Sequence, residues 1–104
     1  MISRHWRATA KPENAERYID YLKRVTFPRL KTLPGFIDAT ILTRAIDGTT
    51  EFLVMSRWQT VDAIKQFASD DAERAVIPAE VETLMIDYDT RAKHYAVTHQ
   101  TGEG

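Results

Sequence analysis

The four residues Phe52-Leu53-Val54-Met55 constrain the fold more than any other stretch of the chain. They follow Asp47-Gly48, a pair that favours a two-residue hairpin because both centres of a type I′ turn need positive φ. The return strand, Thr50 to Trp58, shows alternate side chains to opposite faces. Four consecutive apolar residues therefore make both of its faces apolar. In a small sheet that pattern requires cover on both sides.

The remaining elements are read from their periods. Ile2 to Ala10 alternates, with Ile2, Trp6 and Ala8 on one face and Ser3, His5, Arg7 and Thr9 on the other. Pro12 suits the first turn of a helix, and Ala15, Tyr18, Leu22 and Val25 form its apolar stripe. Phe27-Pro28 is expected to bend or end that helix, with a further turn or two before Pro34-Gly35. Ile37, Ala39, Ile41 and Thr43 share one face of a second strand; Asp38, Thr40 and Leu42 share the other. Thr60 is the N-cap of a second helix with Val61, Ile64, Phe67 and Ala68 inward. Ser69-Asp70-Asp71 restarts a short helix through Ala75 and Val76. Pro78 opens another, with Val81, Leu84 and Met85 inward, and a last strand runs from about Asp87 to Thr98. The predicted order is βαββαβ, an α+β ferredoxin-like arrangement with a four-stranded antiparallel sheet and helices on one face.

Such a sheet leaves its second face bare, and 104 residues contain no second layer to cover it. Trp6, Ala8, Leu53 and Met55 are expected on that face, an apolar patch a monomer rarely exposes. A homodimer joined through the sheet faces follows. Composition removes other classes. A hydrophobic share of 43% excludes wholesale disorder. With 14 basic against 15 acidic residues, nothing draws the chain to a phosphate backbone, and Glu51 to Met55 lacks the basic-Gly-aromatic pattern of an RNA-binding third strand. Nucleic acid is not an expected partner. Nor is a membrane, since no long apolar run or signal peptide is visible; a cytoplasmic protein is expected. There is no cysteine, so a disulfide scaffold, a thiolate metal site and a cysteine nucleophile are excluded. His5, His94 and His99 have no metal-ligand spacing, and no metal is expected.

At this point the chain resembles the antibiotic biosynthesis monooxygenase-like family, part of the dimeric α/β barrel superfamily. Pro34-Gly35-Phe36, Phe52-Leu53-Val54-Met55-Ser56-Arg57-Trp58 and Gln59-Thr60-Val61-Asp62 carry the resemblance. Arg4-His5-Trp6-Arg7, Asp70-Asp71-Ala72-Glu73-Arg74-Ala75-Val76 and His94-Tyr95-Ala96-Val97 are similar to a subgroup without assigned activities. The resembling domain spans residues 1–98, and 99–104 form a frayed tail. The resemblance implies a homodimeric barrel with a pocket between sheet and helices in each subunit. The family includes cofactor-free oxygenases of aromatic polyketides and haem-degrading enzymes. In the haem-degrading branch an asparagine, a tryptophan and an iron-ligating histidine make the site, and these positions fall on His5, Trp58 and Val76. Valine has no lone pair for iron, so no cofactor is expected.

His5 is the candidate base or proton relay, because imidazole titrates near neutral pH. Arg7, on the same face, is the candidate for steadying oxyanion charge, and Trp58 with Ser56 for binding substrate. The plainer structural reading stands beside each: a hydrogen-bonded strand histidine, an edge charge, a packed tryptophan. His94 and Tyr95 point to opposite faces, one to the pocket and one to the seam. The assignment depends on parity. Should Ile2, Trp6 and Ala8 face the helices, His5 and Arg7 lie at the dimer seam instead. The function expected is cofactor-free oxidation of a small aromatic or conjugated molecule, the alternative a non-catalytic small-molecule-binding or structural homodimer.

Overall fold

A computed structural model describes residues 1–102; Glu103 and Gly104, the end of the expected tail, lie outside the described residues. The elements are β1 (Ile2–Ala10), α1 (Pro12–Tyr21), a π-helical turn (Leu22–Thr26), α2 (Phe27–Leu30), β2 (Phe36–Ile46), β3 (Thr49–Trp58), α3 (Val61–Ala68), α4 (Ala79–Glu82), β4 (Asp87–Tyr88) and β5 (Lys93–Ala96). The antiparallel sheet runs β2-β3-β1-β4, and β5 pairs with β1 on the same edge as β4. This is the ferredoxin-like order, with the fourth strand in two pieces. Asp47 and Gly48 have φ of 49° and 76°, as the hairpin signal requires.

Face assignment is the main correction. Trp6 lies opposite Val54 and Ala8 opposite Phe52, and all four belong to the core beneath the helices. Trp6 packs on Tyr18 of α1 at 6.0 Å between ring centroids, and Tyr18 on Phe52 at 5.1 Å, both edge-on. Trp6 and Ala8 are thus not on the bare face. That face carries His5, Arg7, Leu53, Met55, Thr40 and Leu42, as the register aligns them.

Two helical expectations change and one is narrowed. Of the two outcomes expected at Phe27-Pro28, the helix does not end there, and the further turn past it is present as α2. The Phe27 N–H reaches the Leu22 carbonyl five residues back, which widens the turn and accommodates the proline ring without losing the helix. The expected helix through Ala75 and Val76 is absent. Its backbone bonds sideways instead, Ala75 N–H to the Thr90 carbonyl at 3.1 Å and the Glu73 carbonyl to Ala92 N–H at 2.8 Å, which also separates β4 from β5. Thr60 caps α3 through Ala63 N–H at 3.1 Å, but Val61 is 41% exposed and Ala63 takes the inward position.

Gly35 locks the connection into β2 against α3. Its carbonyl accepts from Gln59 N–H at 2.8 Å, and a Cβ built on it would sit 2.6 Å from the Ala63 Cβ, at a φ of 89°. Gly35→Ala should therefore cost about 2 kcal/mol or more in urea unfolding. Gly48→Ala, with nothing within 4 Å, should cost only its backbone strain, about 1 kcal/mol.

Ion pairs rim the bare face: Arg57 with Asp38, and Glu51 between Arg44 and Arg7. Hydrogen bonds from Arg57 to Asp38, and from Arg44 and Arg7 to Glu51, hold both carboxyls below their ordinary values. A depressed folded value gives stabilisation that is complete above the unfolded value near pH 4 and lost as pH falls through the folded one. Asp38→Asn should accordingly flatten the fall of the urea midpoint below about pH 4 relative to the parent.

Candidate functional site

A cavity of about 110 Å³ lies between the sheet and the helical layer. Its floor is the inward face of β1 and β3, from Arg4, Trp6, Val54 and Ser56. Its roof is the first helical run, where Tyr18, Tyr21, Leu22, Val25, Thr26 and Phe27 contribute. Phe67, Val76, Pro78 and Val81 close the side. The π turn shapes this roof: the extra residue it inserts brings Leu22, Val25 and Thr26 to the cavity together. Such turns often mark functional sites.

Three polar side chains on this lining differ in how they are held. Arg4, only 5% exposed, donates through Nη1 to the Ala72 carbonyl and, at 3.0 Å, to His94 Nε2, and through Nη2 to the Arg74 carbonyl at 2.7 Å. Its guanidinium carbon stands 5.9 Å from the Phe67 ring centre. Burial lowers its pKa to about 10 against the opposing pull of Glu73, so it stays charged at neutral pH. Burial, then the Arg4 charge, lowers that of His94, which suits the imidazole to accepting from Arg4. Ser56 Oγ accepts from Trp58 Nε1 at 2.9 Å. The Tyr18 hydroxyl has no hydrogen-bond partner among the described residues and is not sealed from solvent, while burial of the residue pushes its phenol well above the ordinary range.

The candidates read from the sequence divide accordingly. Ser56 borders the cavity. Trp58 lies one step beyond, fully buried and edge-on to Phe36 at 5.2 Å. His5 and Arg7 are on the opposite face of the sheet. His5 Nε2 is 2.8 Å from Ser3 Oγ and its ring 4.9 Å from that of Tyr95, while desolvation lowers its pKa. Arg7 Nε donates to Glu51 at 2.8 Å. His94 points inward, to Arg4, and Tyr95 outward. Arg4, Tyr18 and Phe67 were not singled out from the sequence. For Arg4 the signal was partial, since its parity groups it with Trp6 and Ala8, whose face was itself expected to be the bare one. Among the described residues no group of three or more His, Cys, Asp or Glu could hold a metal, and no helix is long and apolar enough to cross a membrane.

Two substitutions separate structural from free polar groups. Ser56→Ala leaves the buried Trp58 N–H unpaired and should cost about 1–3 kcal/mol in thermal or urea unfolding. Tyr18→Phe removes a hydroxyl without a protein partner and should leave stability within about 0.5 kcal/mol of the parent.

The sequence model of the antibiotic biosynthesis monooxygenase family matches residues 1–79. No curated protein sequence matches the chain. Among solved structures it is similar to a Bacillus cereus protein named for that same family, with a TM-score of 0.69 at 18% identity over 98% of this chain and 97% of that one. SnoaB from Streptomyces nogalater, described as a cofactor-independent oxygenase, superposes with a TM-score of 0.65 at 16% identity, covering 98% and 97%. MhuD, a heme-degrader from Mycobacterium tuberculosis with two hemes bound, gives 0.59 at 17% identity over 98% and 100%. At these identities the likeness is one of fold.

Proposed function

The chain belongs to the antibiotic biosynthesis monooxygenase family, and from that premise we propose that it oxidises a small aromatic or conjugated molecule in the cavity between sheet and helices, without a cofactor. The observation that carries this reading is the lining itself: an aromatic, largely apolar chamber whose polar groups include those of Arg4, Tyr18 and Ser56. Conjugated substrates can react with oxygen directly once ionised and shielded from water, so the protein need supply mainly shape, dryness and a field for the developing charge. A haem does not suit this lining. Val76 stands on its wall without a lone pair, no imidazole or thiolate joins it, and the Tyr18 phenol resists ionisation.

His5 and Arg7 enter this reading through the partner rather than the cavity. We infer a homodimer in which the bare sheet face meets its equivalent. Leu42 lies opposite Leu53, Met55 follows on the same face of β3 opposite Thr40, Leu42 is 46% exposed, and the arginine–carboxylate pairs rim them, the apolar-core and polar-rim pattern of an interface. Leu53→Glu should convert a dimer to an 11.9 kDa species in sedimentation at micromolar concentration. A parent that sediments as a monomer would overturn the assembly.

One feature favours the alternative, a binding protein without catalysis: the lining contains neither carboxylate nor imidazole to act as base. Oxygen uptake with a panel of hydroxylated aromatics decides between them. Uptake that falls about tenfold or more in Tyr18→Phe or Arg4→Lys at matched stability supports catalysis in the cavity. Binding of panel compounds without uptake supports the alternative.

A further inference from the structure

The two charged side chains on the cavity lining, Arg4 and Arg29, are both cations, in a chain whose formal net charge is -1. They converge on one end: the Arg29 guanidinium carbon lies 5.6 Å from the centre of the same Phe67 ring that Arg4 approaches. Arg4 makes no ion pair with any carboxylate among the described residues. Glu73 acts on it from a distance and instead lies 3.8 Å from Arg91. A buried guanidinium without a counter-charge is costly, and carbonyls relieve that cost only in part. Of its five N–H donors, two go from Nη1 to Ala72 and His94 and one from Nη2 to Arg74. Nε–H and the second hydrogen on Nη2 have no protein partner. No polar side-chain atom of the described residues is both sealed from solvent and unpartnered, so Nε–H opens onto accessible space. Arg4 borders the cavity.

We propose that the ligand of this cavity is an organic anion, its planar body among Trp6, Tyr18 and Phe27 and its acidic oxygens on the free N–H groups of Arg4. Guanidinium donors suit a carboxylate or an ionised enol, which accept charge-assisted hydrogen bonds. The volume sets the size. At about 110 Å³ the chamber is on the scale of the roughly 150 Å³ cavity that holds benzene, which limits the enclosed body to a single ring at most and sends anything larger out past Val25. This inference deepens the proposed function and rests on it: an anion held by Arg4 needs no base in the cavity, because it arrives ionised or is kept so by the cation.

The test is an NMR titration of the parent protein with benzoate and with the neutral, similarly shaped benzamide, following the Trp6 indole N–H and the amides of Leu22 to Phe27. Benzoate should shift these resonances and bind about ten- to a hundredfold more tightly than benzamide, the range expected for charge-assisted hydrogen bonds. Arg4→Met should abolish that preference, and Arg4→Lys should retain part of it. Should Arg4→Met lose its native amide spectrum, Arg29→Met, which removes the neighbouring cation without touching the Ala72 and Arg74 carbonyls, should still lower the ratio. Equal binding of the two probes at the cavity overturns the anion inference while leaving the cavity reading intact. If neither probe moves the cavity resonances, both fall.

Discussion

The pairing of β1 with β3 governs the rest of the structure. By setting Trp6 opposite Val54 and Ala8 opposite Phe52, it commits one face of β1 to the helices, and the edge-on series Trp6–Tyr18–Phe52 then fixes α1 above the sheet. A strand slipped by one residue would turn every side chain to the other face. His5 and Arg7 would then lie under α1, and Trp6 would be exposed. Large aromatic surface favours the observed choice, since burying one such side chain is worth about 1.5–3 kcal/mol and burying an unpaired cation or imidazole in its place would cost free energy.

That pairing also explains what could be read from the sequence. The order of elements, the Asp47-Gly48 turn, the Thr60 cap and the doubly apolar β3 were legible because each is a local pattern with a local cause. The side of the sheet was not, because β3 is apolar on both faces and offers no contrast to choose between them. Arg4 was passed over for a related reason. An arginine in a strand reads as solvated, and its parity with Trp6 and Ala8 marks it as inward only once their face is known to lie under the helices. At Pro28 the pattern allows a bend or an end: a proline excludes the ordinary i→i-4 bond, but a π turn supplies another way through, and no residue pattern announces it.

Arg4 connects these points. The segment Ser69 to Pro78 has the composition of a helix, yet its Ala72 and Arg74 carbonyls turn to the Arg4 guanidinium, and its Ala75 N–H and Glu73 carbonyl turn to the loop between β4 and β5. Backbone groups engaged sideways are not available for helical bonds. The charge thus holds an irregular segment flat against the sheet edge, and that segment carries Val76 and Pro78 onto the cavity wall. Without a cation in that place the wall would be free to form the helix its sequence suggests, and the cavity would have a different shape.

The same guanidinium is therefore anchor and field source at once, and the two roles use different atoms. Nη1 and one hydrogen of Nη2 hold protein groups; Nε and the remaining Nη2 hydrogen hold none. A purely structural arginine in a buried site would be expected to satisfy all its donors or to pair with an acid, because an uncompensated buried charge is among the more destabilising features a core can contain. Preorganised charge of this kind favours a bound anion without reorganisation when the anion arrives. The cost appears in folding, where three carbonyl and imidazole contacts and the Phe67 face offset part of it. The benefit belongs to the proposed anion, whose acidic oxygens would use the donors that Ala72, His94 and Arg74 leave over, and that division of donors is what separates a binding role from a packing role for Arg4.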